Sequence, residues 1–232
     1  MGAWFRWKGV RSDTYGIHVL TQASIVMPAE RVEKQTIPGR PGSLIYTEGE
    51  GIYEDFLLTL SCYIEDSSRL NEICTWLMGS GNLEISNRAG GHYEARVNNQ
   101  ISFGKLLRVN PHLSFNIVFR CHPYWYYDGT ADITVTTSGT TITNPGGMWS
   151  EPILTISGSG EAELMVGTTL ILLSDIPQTL VIDSVVKEAY QGNVLKNELM
   201  NGEFPTLYPG ANAISWTGNI TSVVVRPNWR AL

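Results

Sequence analysis

The chain has 232 residues, with 16 Lys and Arg against 22 Asp and Glu and a formal net charge of −6. At roughly 100–200 residues per domain, this length accommodates one large domain or two modest ones. An acidic chain without a basic block argues against sequence-specific nucleic-acid contact, because phosphate binding needs clustered Lys and Arg.

Apolar residues make up 43% of the chain, enough for a core, but charged residues are only 16%, against roughly 25% in an average soluble domain. Sparse charge predicts that part of the surface is covered in an assembly. The most apolar stretch, residues 164–173, is broken by Gly167, Thr168 and Thr169 and falls far short of the ~20 residues of a membrane helix. The opening Met1-Gly-Ala-Trp-Phe-Arg-Trp-Lys8 carries charge where an export signal needs an apolar centre.

In chain order, the first distinctive segment is Gln22 to Gly51, which is polar, turn-rich and too long for an ordinary loop. Its centre, Ile37-Pro38-Gly39-Arg40-Pro41-Gly42-Ser43, holds two Pro-Gly pairs, each suited to the central positions of a type II turn. Arg40 lies between them, and a guanidinium on a stiff loop is a directional partner for a carboxylate across an interface. Residues 54–64 then alternate, with Phe56, Leu58, Leu60, Cys62 and Ile64 on one face. Asp66 to Met78 carries Leu70, Ile73, Cys74 and Leu77 at i, i+3, i+4, i+7 spacing and predicts the chain's one good helix. Asp66, Ser67 or Ser68 can cap it and Gly79 or Gly81 can end it, while Trp76 lies off the stripe and should meet a second surface. Tyr93, Ala95 and Val97 mark a shorter strand. Leu113, Phe115, Ile117, Phe119 and Cys121 mark another long one, and such period-two runs indicate antiparallel strands with one buried face.

Four aromatics follow, Tyr124-Trp125-Tyr126-Tyr127. In a strand they face both ways, so half must pack beyond the local core, at an interdomain or intersubunit seat. Past Pro123–Thr130 the composition turns to Thr, Gly and short strands: 133–135, 140–143, 153–156, 162–166, 170–173, 179–186, 213–217 and 221–225. Gly158-Ser-Gly160 and Gly167-Thr168 read as turns between them. The pattern predicts an α+β domain over residues 1–127 and an all-β sandwich or barrel over 128–232.

No catalytic constellation emerges. His18, His92, His112 and His122 are scattered, and the carboxylate pairs Glu48/Glu50, Glu161/Glu163 and Glu30/Glu33 read as solvated faces. Cys62, Cys74 and Cys121 lack the paired spacing of a metal site and are expected to be buried free thiols. The expectation is a non-enzyme without metal or cofactor. The tryptophans leave a second reading, a carbohydrate-binding module using Trp149, Trp216 or Trp229 of the second half.

Taken in order, these segments resemble the distal tail (Dit) proteins of long-tailed, non-contractile phages, the siphophages. The resemblance runs through Asp13-Thr-Tyr-Gly-Ile-His-Val19, Ile37-Pro-Gly-Arg-Pro-Gly-Ser-Leu44, Trp76-Leu-Met-Gly-Ser-Gly-Asn-Leu83 and Val118-Phe-Arg-Cys-His-Pro-Tyr124. It continues in Thr143-Asn-Pro-Gly-Gly147, Gly202-Glu-Phe-Pro-Thr-Leu-Tyr-Pro-Gly-Ala-Asn212 and Val225-Arg-Pro-Asn-Trp-Arg230. It implies a mainly β chain: an N-terminal tail-tube-like domain (sandwich or split barrel with one helix) followed by a galectin-like β-sandwich. It implies a structural hub at a phage tail tip or baseplate, from a phage or prophage. That hub would be a homohexameric ring, with the tail tube protein, a tail-associated tip protein and a receptor-binding protein as partners. The place implied is the virion, after assembly in the host cytoplasm. The galectin sugar motifs, His-x-Asn-x-Arg and Trp-x-x-Glu-x-Arg, are absent, so the fold name carries no expectation of sugar binding.

Overall fold

The computed structural model describes residues 2–47, 49, 51–106 and 110–232. The chain divides into two compact units, Met1–Asp128 with Leu232, and Gly129–Ala231.

The first unit contains β1 (Phe5–Trp7), β2 (Val10–Arg11), β3 (Ile17–Val19), β4 (Val32–Thr36), β5 (Ser43–Thr47), β6 (Phe56–Ile64), α1 (Leu70–Leu77), β7 (Ser80–Ile85), β8 (Arg88–Val97), β9 (Gly104–Leu106) and β10 (Asn110–Tyr127). An antiparallel sheet runs β2-β1-β7-β8-β10-β6-β3, while β4 and β5 form a separate two-stranded hairpin. The alternation read along 56–64 and 113–121 places one face of β6 and β10 in the core, with Leu58, Leu60, Ile117, Phe119 and both thiols, Cys62 and Cys121, buried. These strands pair in continuous register from Leu113↔Ile64 to Cys121↔Phe56.

The helix is shorter than its predicted span. Ser67–Arg69 is a 3-10 turn, and α-helix begins at Leu70. The Asp66 carboxylate accepts the Ser68 backbone N–H at 2.8 Å and its hydroxyl at 2.5 Å. The side-chain bond first, and then the backbone bond, hold the Asp66 carboxyl below its ordinary range. Ile73 and Leu77 are fully buried, whereas Cys74 is half-buried. Off that stripe, Trp76 stacks on Phe5 (5.7 Å, 17°) and tilts against Tyr15 (4.7 Å). Its indole N–H donates to the Trp7 carbonyl at 3.1 Å, and the Trp7 indole donates to the Trp76 carbonyl at 3.1 Å. The helix is thereby pinned to β1 by two reciprocal bonds as well as by its apolar stripe.

The second unit contains β11 (Ile133–Val135), β12 (Thr140–Asn144), β13 (Ile153–Val166), β14 (Thr169–Leu173), β15 (Pro177–Asp183), β16 (Glu188–Gln191), β17 (Val194–Leu195), β18 (Met200–Gly202), β19 (Gly210–Arg226) and β20 (Arg230–Ala231). Here the expected short strands need correction. The pairs 153–156/162–166 and 213–217/221–225 are one continuous strand each, β13 and β19, antiparallel along their length. Gly167-Thr168 does turn the chain from β13 into β14. The register of β13 and β19 slips between Ser157 and Gly158 and between Ser159 and Ala162, so Gly158-Ser-Gly160, read as a turn, sits at a bulge.

The reason is steric. A Cβ on Gly158 would stand 2.4 Å from the Asn219 carbonyl oxygen, and one on Gly218 (φ +84°) 2.5 Å from that of Glu161. On one side of this bulge β13 pairs with β15 and β19 with β11; on the other, β13 pairs with β14 and β19 with β12. One bent ladder thus carries two sets of partners, each half burying alternate residues such as Leu154 and Ile156 or Leu164 and Val166. The strand expected to reach 186 stops at Asp183, whose carboxylate accepts the N–H groups of Val185 (2.9 Å) and Val186 (3.2 Å).

The Pro-Gly turns of this unit are closed by asparagines. Asn144 accepts from Gly146 N–H at 2.8 Å and donates to the Met148 and Leu207 carbonyls. Asn212 brackets Tyr208–Gly210 through three such bonds. No helix among the described residues is long and apolar enough to cross a membrane.

Candidate assembly surface

The Gln22–Gly51 segment is not a loop throughout, because β4 and β5 pair from Val32↔Thr47 to Thr36↔Ser43. Ile37–Gly42 forms the tip of this hairpin. The Arg40 N–H donates to the Ile37 carbonyl at 3.2 Å and Gly39 has φ +80°, the geometry of a type II turn with Pro38 and Gly39 at its centre. Gly42, at φ +79°, repeats the left-handed step. Arg40 is exposed, and its side chain makes no hydrogen bond or ion pair among the described residues.

The arm itself buries almost nothing. Ile45 is 61% and Tyr46 52% exposed, on opposite faces of the hairpin. An isolated two-stranded hairpin is marginal in water, so its apolar side chains lack the cover that normally stabilises such a pair.

The base of the arm, in contrast, is firmly held. Arg31 N–H donates to Ile52 (3.0 Å), Glu54 N–H to Ala29 (2.8 Å), and the Arg31 guanidinium pairs with Glu54 at 3.1 Å. The Tyr124 hydroxyl donates to the Gly51 carbonyl, and its ring meets Tyr53 edge-on at 6.4 Å. Tyr124 therefore anchors the arm, bringing together two regions that the sequence singled out separately. Glu48 and Glu50 lie outside the described residues.

The rest of the aromatic run has seats inside the first unit. Trp125 is buried, edge-on to Tyr127 (4.8 Å) and beneath the Arg88 guanidinium (4.8 Å). Gly91 makes this possible, since a Cβ there would stand 2.3 Å from the indole. Tyr126 stacks on His92 at 5.8 Å, and His92 contacts Asp128 at 2.6 Å. Tyr124, Tyr126 and Tyr127 remain half-buried. Of the other histidines, His18 lies 3.8 Å from Glu65 and stacks on Tyr63 at 4.7 Å, His112 packs beside the same ring at 5.2 Å, and His122 lies 3.2 Å from Glu94.

Among the described residues no three His, Cys, Asp or Glu converge as metal ligands. Burial pushes the Cys62 thiol up to about 12, and burial, with Asp55 nearby, does the same to Cys121. Of the tryptophans in the carbohydrate reading, Trp229 is buried, and Trp149 lies under the Arg230 guanidinium at 3.9 Å. Glu161 and Glu163 are solvent-exposed on one face of β13.

No protein-family model and no curated protein matches this sequence. Among solved structures, the chain matches the SPP1 Dit protein (gp 19.1), described as a paradigm of hub adsorption apparatus in phages infecting Gram-positive bacteria. The match has a TM-score of 0.77 at 16% identity and covers 100% of both chains. At so low an identity the likeness speaks to architecture alone: from end to end, this mainly β chain has the fold of SPP1 Dit.

Proposed function

We propose that this protein is a structural hub of a phage tail tip, a homohexameric ring joining the tail tube to the tail-associated and receptor-binding apparatus, and not an enzyme. The observation that carries the reading is the full-length fold likeness to a hub protein of an adsorption apparatus. Residues 1–127 are the tail-tube-like, ring-forming domain and 128–232 a galectin-like sandwich. The protein is a virion component, assembled in the host cytoplasm.

The uncovered β4–β5 arm supports the ring. A closed ring needs two different patches on each subunit, and an arm with a rigid tip and a held base supplies one of them. In this reading Ile37–Gly42 docks on the neighbouring subunit, Arg40 donates to a carboxylate there, and the half-buried Tyr124, Tyr126 and Tyr127 lie beside the contact. Particle imaging of the purified protein tests this, with a six-fold ring around a central opening as the expected result. Light scattering that finds only monomer at high concentration would overturn it.

A further inference from the structure

In the second unit, the outward face of β14 is apolar where an antiparallel sheet normally turns polar side chains to water. Leu170 and Leu172 are 44% and 40% exposed on either side of the buried Ile171. Leu172 lies opposite Glu163 of β13 on one side and Asn201 of β18 on the other, and Glu163 in turn lies opposite Thr217 of β19. This row lines a groove of about 640 Å³, together with Glu161 and Glu198.

Glu161 and Glu163 point to the same outward face, since Ala162 between them is buried. Neither makes a hydrogen bond or ion pair among the described residues, while Glu198 pairs with Lys196 at 3.6 Å. Among the described residues no Lys or Arg lines the groove. The imbalance extends to the whole unit, where residues 129–231 hold nine Asp and Glu against four Lys and Arg. Each of those four already has a carboxylate: Lys187 and Arg230 share Glu151, Arg226 takes Asp132 and Lys196 takes Glu198. Two carboxylates beside exposed leucines are thus left with no cation of their own unit to neutralise them.

We infer that this groove docks an extended basic segment of a partner protein, with Lys or Arg at alternate positions. Charge complementarity selects the sign of the occupant, because an acidic segment or a nucleic acid would meet only like charge here. Spacing selects its form. Alternate side chains of an extended chain repeat about every 6.6 Å, the same step that separates two residues on one face of β13. A Lys or Arg side chain also suits the mixed lining, since its aliphatic stem lies on an apolar surface such as Leu172 while its charged end reaches a carboxylate. The assignment uses the second unit alone and does not rest on the ring.

The test is fluorescence anisotropy on the full chain, with labelled Lys-Ser-Lys-Ser-Lys and Glu-Ser-Glu-Ser-Glu peptides as separate probes. The expected result is salt-sensitive binding of the basic peptide alone. Glu163→Gln should weaken it about tenfold, the scale of a lost charge-assisted contact, and Leu172→Ser should weaken it as well. Glu72→Gln removes the same charge from α1 of the first unit and should leave binding unchanged. Because Glu163 has no internal partner, its variant should melt at the same or a higher temperature than the parent. Absence of basic-peptide binding, equal binding by Glu163→Gln, equal weakening by Glu72→Gln, binding of the acidic peptide as tightly, or a lowered melting temperature would each overturn the assignment.

Discussion

The bulge shared by β13 and β19 separates backbone strain from steric contact with three single substitutions. Gly160→Ala introduces a side chain at φ +70° with nothing within 4 Å, so it carries left-handed strain alone, worth about 1–2 kcal/mol. Gly158→Ala has no such strain but places a Cβ 2.4 Å from the Asn219 carbonyl oxygen, and overpacking of this kind costs about 1–3 kcal/mol. Gly218→Ala combines the two, at φ +84° and 2.5 Å from the Glu161 carbonyl oxygen, so its expected loss is about 2–5 kcal/mol. The obstructing atoms in both cases belong to the partner strand's backbone and cannot rotate away. Urea unfolding followed by far-ultraviolet circular dichroism measures the three losses, read as a shift in midpoint at unchanged slope. Equal losses for Gly160→Ala and Gly218→Ala would refute the reasoning, because the close approach of the two strands would then carry no energy.

Further outcomes follow from the same structure. Trp76→Phe keeps the stack on Phe5 but loses the indole bond to the Trp7 carbonyl, and should destabilise by about 1–2 kcal/mol, with Trp76→Ala losing more; equal losses in thermal melts would show that the bond and the stack do not act separately. Cys74 should react with a thiol reagent in the native protein well before Cys62 and Cys121, which are buried, a ranking that mass spectrometry of partly labelled protein reads directly. The folded-state pKa of both buried thiols is raised from 9.0 to about 12, so the unfolded chain loses those protons first and stability falls as pH rises between these values; Cys62→Ala should flatten that fall in unfolding measured across the window. Serine at both Ile45 and Tyr46 removes apolar groups that the arm leaves exposed, so sedimentation should show weakened assembly while the melting temperature of the subunit stays within a few degrees. Arg40→Ala tests the tip alone, and assembly equal to the parent would remove its role.

Much of the first unit was legible along the chain, because alternation and the helical stripe are local properties that any window of residues displays. Leu58, Leu60, Ile117 and Phe119 on one face, Ile73 and Leu77 on another, and the Pro38-Gly39 turn all follow from spacing and turn chemistry alone. The arm was visible as an anomaly, too polar and too long, but Val32–Thr36 and Ser43–Thr47 carry too little alternation to declare themselves strands. Glycine was the point of real ambiguity. Gly158 and Gly218 look in sequence like any turn residue, and only the approach of a second backbone to within a missing Cβ shows that they let two long strands run on together. Gly91, which makes room for the Trp125 indole, reads the same way.

Length, composition and periodicity by themselves determined a mainly β chain with one helix and the burial of Cys62 and Cys121, though not the half-exposed place of Cys74, and left its chemistry without a catalytic centre to point to. Tertiary structure decided which strands are continuous and where Tyr124 anchors the arm. Those are pairings between residues far apart in the chain: a local pattern sets which face a strand buries, but it does not name the distant strand or side chain that will lie against it.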